Sequence, residues 1–471
     1  MLFCPYRTVK NQMRSFEMKK SLYKYGIAVA TVSLLMSASL QSVSSAGDGT
    51  NGGPGKTNEP TFQGSGPWQV DNNTATVVKA CAGSADTASC NALVLGVDTV
   101  RGQNPFSSTL TSTWANTTAV LSGAGDGNGK NPPVPKDTFA NNYYALSPAQ
   151  IISAYHFPTT NSTGALAGTG KTIAIVNAYD DPNIVSDLAT FNSQFGIPQL
   201  ASCTITSTSG PCFQKVSQTG GTSYPAYDQG WGMEISLDVQ WAHAIAPGAS
   251  ILLVEAKTAG WGDLMTAAKY ASTRAQYVSM SFGGPEPAGL KTYDTAFSNT
   301  AVSFFAAAGD AGLYTEYPST SPKVISVGGT TLNLTSSGTI STETGWVSGG
   351  GGCSTVETAT TSQLSYPTYA QVNCGGKRAT PDVAAVADPN TGGFVYNSNN
   401  YGGTTGWFTV GGTSLATPIW AARAANTGVV VNQAYIYGSN SINFTNITQG
   451  GNSAGCLVGY SLSCGLGSWN N

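Results

Sequence analysis

Ser250-Ile-Leu-Leu-Val-Glu255, a helical stretch over 262–274, and Tyr277-Val-Ser-Met-Ser281 follow one another in the chain. Both apolar runs are short and bounded by turn residues, which suits strands buried on both faces. A helix between two such strands is the repeating unit of a parallel sheet. The alternation extends in both directions. Strands are expected at Thr172–Ala178, Val302–Ala308 and Val324–Val327, and helices near 183–195, 232–245 and 288–299, with a last strong helix from about Ser414. The fold class is α/β, a parallel sheet flanked by helices, and it occupies one large domain over 140–471. No internal repeat is visible.

The chain has 471 residues, enough for a large core, and combines 41% hydrophobic residues with only 10% charged ones, so it reads as globular and not disordered. A net charge of −3 gives no basic face for nucleic acid. Residues 1–46 differ from the rest, with six Lys or Arg against one Glu. Lys19, Lys20 and Lys24 precede an apolar run from Gly26 to Leu40, and Ser44-Ser45-Ala46 supplies small residues, the layout of a secretory signal cleaved after Ala46. Met18 would serve as an alternative start. Residues 47–139 are rich in Gly, Asn, Thr and Ser, with Gly123-Ala-Gly-Asp-Gly-Asn-Gly129 and Asn131-Pro-Pro-Val-Pro135. They read as a short, loop-rich leader or pro-region and linker.

Of the nine cysteines, Cys4 falls in the signal region, and the other eight form four local pairs: Cys81/Cys90, Cys203/Cys212, Cys353/Cys374 and Cys456/Cys464. Nearest-neighbour disulfides are the simplest expectation for an exported protein. A zinc site is excluded, since no pair has C-x-x-C spacing and the chain has only His156 and His243.

Gly411-Gly412-Thr413-Ser414-Leu-Ala-Thr-Pro418 joins an apolar run to a helix. The glycines permit a tight turn, and Ser414 then opens a helix whose N–H groups favour negative charge. That suits a nucleophile, although a plain helix cap has the same sequence signature. Neither histidine has the context of a base. Glu234 and Asp238 do: a spacing of four puts them on one helix face, in apolar surroundings where two carboxyls prefer to share a proton. Such a dyad works as a base in acid, where an imidazole would already be protonated. Asp310, in Phe304-Phe-Ala-Ala-Ala-Gly-Asp310, ends a strand, where α/β sites assemble, and a protonated Asp there can donate to an oxyanion.

Taken together, Ser147-Pro-Ala-Gln150, Lys171-Thr-Ile-Ala-Ile-Val176, the Glu234/Asp238 helix, Val278-Ser-Met-Ser-Phe-Gly-Gly284, the Ala-Gly-Asp310 turn, Gly-Thr-Ser414-Leu-Ala-Thr-Pro and Gly465-Leu-Gly-Ser468 resemble the sedolisin family of serine-carboxyl peptidases, whose core is subtilisin-like. The resemblance implies that Ser414 attacks a peptide carbonyl and Glu234 takes and returns the proton. It further implies that Asp238 shares charge with Glu234, and that protonated Asp310 helps hold the oxyanion. It implies an enzyme acting on protein or peptide substrates at acidic pH, secreted outside the cell or into the periplasm. No nucleic acid, no membrane after signal removal and no partner subunit are expected. The alternatives are a secreted binding or adhesion protein that keeps the fold without turnover, and a glycoside hydrolase using Glu234 and Asp238. The latter pair, one turn apart on one helix, is poorly arranged to flank a sugar. The family's calcium aspartates fall here at Asn446 and Ser461, so no cofactor is expected, and the Cys456/Cys464 pair around the same loop is expected to supply the cross-link instead.

Overall fold

The computed structural model describes residues 68–70, 73–84, 86–96, 145–206, 210–287, 289–335, 337–438 and 443–469. The expected signal segment and most of the linker lie outside them. The described residues belong to one compact unit.

A nine-stranded sheet forms the centre. Its parallel strands run in the order Ala201–Ser202, Cys212–Ser217, Ser250–Ala256, Thr172–Ala178, Tyr277–Met280, Ser303–Ala307 and Ile325–Leu334. Val383–Val386 adds in parallel beside Ile325–Leu334, and Ile340–Gly345 pairs with the latter antiparallel. Thr172–Ala178 and Ser250–Ala256 pair in full register from Thr172↔Ser250 to Ala178↔Ala256, and every residue of both is buried. Burial on both faces is why these runs carry no alternation.

The helices expected near 183–195, 232–245 and 262–274 are Ile184–Phe195, Gln229–Ile245 and Trp261–Ala271. The one expected at 288–299 is shorter: a turn of α-helix at Leu290–Tyr293 passes into a 3-10 turn at Asp294–Phe297. Lys323 Nζ takes the Asp294 carbonyl at 3.1 Å, an acceptor a continuing helix would have used for itself. Gln229–Ile245 is buried from Gly230 to Ile245, with Asp228 capping its first N–H groups. Trp241 Nε1 donates from this helix to the Phe394 carbonyl at 3.0 Å and pins it beneath a second, antiparallel sheet. Thr413–Thr427 is buried from Thr413 to Ala425 and packs against the same centre.

The reading of 47–139 as loop-like is corrected where the chain is described. Trp68–Val70, Asn73–Lys79 and Leu93–Gly96 are strands, and with Thr404–Gly411 and Gly393–Tyr401 they make a five-stranded antiparallel sheet. Leu93, Val94 and Leu95 are buried there. So short an apolar run has no strand signal of its own; the edge at Val410–Gly411 supplies the backbone partners that order it.

Four disulfides join Cys81 to Cys90, Cys203 to Cys212, Cys353 to Cys374 and Cys456 to Cys464. Among the described residues, no helix is long and apolar enough to cross a membrane.

Candidate active site

The turn from Gly411 to Ser414 makes the nucleophile's seat. Gly412 adopts φ +91°, open to glycine and strained for other residues, and a Cβ there would lie 2.0 Å from the Asn91 carbonyl oxygen and 2.6 Å from Asp310 Oδ2. The first N–H groups of the helix that follows find their acceptors outside it. Thr413 donates its N–H to Asp310 Oδ1 at 2.8 Å, and Ser414 donates its own to the Asn91 carbonyl at 3.1 Å. These first-turn donors are aimed where an anion would be held.

All four expected site residues come together here, drawn from three elements. Ser414 Oγ donates to Glu234 Oε2 at 3.0 Å, and it also lies 3.1 Å from the Ser281 carbonyl. Glu234 and Asp238 lie one turn apart on the Gln229–Ile245 helix. Asp238 takes Ser281 Oγ–H on Oδ1 at 2.7 Å and an Asn177 Nδ2 hydrogen on Oδ2 at 2.9 Å. Asp310 also takes the Thr413 hydroxyl on Oδ1 at 2.9 Å. All four residues are buried.

Burial governs their protonation. It pushes the Glu234 carboxyl well above the ordinary range, and the adjacent Asp238 charge adds to the rise. Asp238 is raised to about 7 by burial, against the pull of the Ser281, Asn177 and Glu234 hydrogen bonds. Glu234 Oε1 has no hydrogen-bond partner among the described residues, and two carboxyls one helical turn apart attract each other only when one of them holds a proton. Asp310 is likewise raised to about 7 by burial, partly offset by the Thr413 N–H and the charge of Lys79. Its Oδ2 is also without a partner, the position from which a protonated carboxyl would donate.

The histidines serve elsewhere. His243 Nε2 meets the Pro198 carbonyl at 2.8 Å, and burial lowers its pKa to about 4. His156 is exposed after the Pro148–Ala154 helix.

The C-terminal loop does not fit a calcium ion at the two expected positions. Asn446 spends its amide on Gly459, donating to the carbonyl at 2.8 Å and accepting the N–H at 2.9 Å. Ser461 Oγ accepts the Cys464 N–H at 3.1 Å. Neither position offers a carboxylate, and both side chains are engaged.

Several neighbours had not been assigned from sequence. Asn177 was visible only as a polar residue inside an apolar strand, and Ser281 only as part of a motif without a role. Asn91, Glu316 and Lys79 carried no signal. Asn91 Nδ2 donates to the buried Glu316 Oε2 at 2.9 Å, and Lys79 Nζ donates to Ser89 Oγ at 2.9 Å while its charge lowers Glu234, Asp310 and Glu316.

Comparisons with known proteins agree with this architecture. The subtilase family matches over residues 233–435. Kumamolisin of Bacillus sp. (strain MN-32) is 34% identical over 312 residues, covering 60% of this chain and 52% of that protein. Sedolisin of Pseudomonas sp. (strain 101) is 28% identical over 362 residues, covering 66% and 57%. The chain thus spans about half the length of these relatives. A solved structure of Pseudomonas sedolisin, a serine-carboxyl proteinase complexed with two molecules of pseudo-iodotyrostatin, superposes with a TM-score of 0.58 at 26% identity. That match covers 69% of this chain and 95% of that one. In sequence and in fold, the chain is similar to sedolisin-family proteins, which share a subtilisin-like core.

Proposed function

We propose that this protein is a serine-carboxyl peptidase that hydrolyses peptide bonds of proteins in acid through an acyl-enzyme on Ser414. The observation that carries the reading is the 3.0 Å hydrogen bond from Ser414 Oγ to Glu234 Oε2 beside an Asp310 held by Thr413. With one proton shared between Glu234 and Asp238, Glu234 accepts the serine proton on Oε2 while the shared proton passes toward Asp238. Asn177 and Ser281 keep Asp238 turned toward its partner. The oxyanion that forms is met by the Ser414 N–H and by Asp310, which must hold its proton to donate. Glu234 then returns the proton to the leaving amine, and water releases the acyl group.

The acidic range follows from burial. Asp310 keeps its proton below about 7, and it must hold that proton to donate to the oxyanion. Secretion is supported by four disulfides, which persist in oxidising compartments. We read residues 1–46 as the export signal, 47–139 as a leader whose described part docks on the catalytic unit, and 140–471 as the peptidase proper.

Casein hydrolysis should appear after incubation of the wild-type chain at about pH 4 and be lost in Ser414→Ala. A wild type that binds casein but never cuts it would make this a binding protein on a peptidase fold.

A further inference from the structure

The helix Gln229–Ile245 carries Glu234 and Asp238 on the face toward Ser414, and it is held from the opposite face as well. At ~100° per residue, Ser236 lies about 180° around the helix from the middle of the Glu234/Asp238 pair. Its hydroxyl donates to Asp181 Oδ2 at 3.0 Å, and both residues are fully buried. One turn further along this rear face, Gln240 Nε2 donates to the Tyr396 carbonyl at 2.7 Å, and Gln240 Oε1 takes the Tyr396 N–H at 3.0 Å.

Asp181 is itself fixed from several directions. Its Oδ1 takes the Asn183 N–H at 2.9 Å, just before the helix Ile184–Phe195, and an Asn399 Nδ2 hydrogen at 2.6 Å, from the strand Gly393–Tyr401. Its own N–H donates to Glu255 Oε1 at 3.3 Å, on the strand Ser250–Ala256. Asp181 follows the strand Thr172–Ala178, whose Asn177 donates to Asp238 on the other face of the catalytic helix. One strand and the turn after it therefore grip the helix from both sides, Asn177 in front and Asp181 behind. With Oδ1 filled by two donors, a proton added to Asp181 goes on Oδ2, and the Ser236 bond reverses direction without being lost.

Apolar packing around the helix is non-directional, whereas a hydrogen bond is not. Rolling the helix by about 10° would carry a carboxyl roughly 5 Å from its axis through about 1 Å. That is enough to take the 3.0 Å contact between Ser414 Oγ and Glu234 Oε2 out of hydrogen-bond range. We propose that Asp181 is a positioning residue for the reaction: by holding Ser236 it sets the rotation of the catalytic helix, and with it the aim of Glu234 and Asp238 at Ser414. This rests on the peptidase reading above. Asp181 touches no reacting atom and acts only through the helix.

The test compares the full chain as wild type, Ser236→Ala, Asp181→Ala and Asp181→Asn, measuring kcat and KM for labelled casein after incubation at about pH 4. Each rate is divided by the folded fraction from calorimetry, so that a loss of stability alone does not register. Ser236→Ala and Asp181→Ala should lower kcat per folded molecule by about tenfold or more, with KM within about twofold of wild type. Asp181→Asn keeps an acceptor on Oδ1 and donates from Nδ2 to Ser236, and should stay within about threefold of wild type. If Asp181→Ala does not fold, Ser236→Ala decides. A Ser236→Ala kcat within about threefold of wild type, or a rise in KM with kcat unchanged, overturns the proposal and leaves the peptidase reading standing. So does an Asp181→Asn variant as slow as Ser236→Ala, which would make charge and not the clamp the source of the effect. A wild type that cuts no casein removes both.

Discussion

Asp382 and Glu234 are both wholly buried carboxyls, and the protein surrounds them in opposite ways. Asp382 takes Arg378 on both oxygens, Tyr437 OH on Oδ1, and Gln433 Nε2 and the Ser326 N–H on Oδ2. Glu234 has one donor, Ser414 Oγ, and its other oxygen has no hydrogen-bond partner among the described residues. Among the described residues, no salt bridge reaches Glu234, Asp238 or Asp310. A buried carboxyl left short of donors competes for a proton. The first arrangement ties the strands Ile325–Leu334 and Lys377–Thr380 to the helix Gln433–Tyr437, and the second is poised to move a proton.

Removing the nucleophile should have the largest effect. Ser414→Ala should lower kcat by roughly 10^5 to 10^6-fold with little change in melting temperature, read by peptide hydrolysis beside calorimetry. A residual rate only tenfold down would place the chemistry elsewhere. Next comes the oxyanion donor. Asp310→Ala should cost about 10^2 to 10^3-fold. In the wild type, kcat should fall as pH rises through about 7, where Asp310 gives up its proton. Asp310→Asn, which donates at any pH, should retain activity in acid and lose that limb; if the limb persists, another group sets it.

Breaking the satisfied carboxyl tests the other half of the contrast. Arg378→Met leaves Asp382 buried without its cation and should destabilise the fold by about 3–5 kcal/mol in denaturant titration, while the pH dependence of the surviving enzyme stays put. A shifted pH profile would show that the two regions are coupled.

A smaller effect should appear in the pH dependence of stability, measured on Ser414→Ala to avoid self-digestion. Burial raises Asp181 to about 6, and Asp238 and Asp310 to about 7, so the folded chain keeps protons that the unfolded chain releases near pH 4. Their contribution is complete below about pH 4 and is lost as pH rises toward 7, worth on the order of a few kcal/mol together. His243, lowered to about 4, opposes it below its ordinary value and is a single group. Melting temperature should therefore fall from about pH 4.5 to about pH 7.5; a rise would contradict burial as the cause. The smallest effect is the absence of one: chelator should leave melting unchanged, because Asn446 and Ser461 offer no carboxylate, whereas reductant should lower it by opening Cys456–Cys464. A chelator-induced drop would reinstate a cation elsewhere.

The order Glu234, Asp238, Asp310, Ser414 was readable because each residue sits in a short pattern with its own physical meaning. Two acids lie one helical turn apart, one acid ends an apolar strand, and one serine follows a glycine turn. The sheet's central strands were readable for the same reason, since complete burial leaves continuous apolar runs. What could not be read depends on contacts between distant parts of the chain. Asn177 reaches Asp238 across 61 residues, and Asn91 reaches Glu316 across 225. The strand character of Leu93–Gly96 arises only when it meets Val410 and Gly411, because so short a segment has too little local preference to form alone. Local chemistry is written in residue order, so the sequence by itself named the reacting groups. Only the folded chain decided which donors surround them and how far burial lifts their protons.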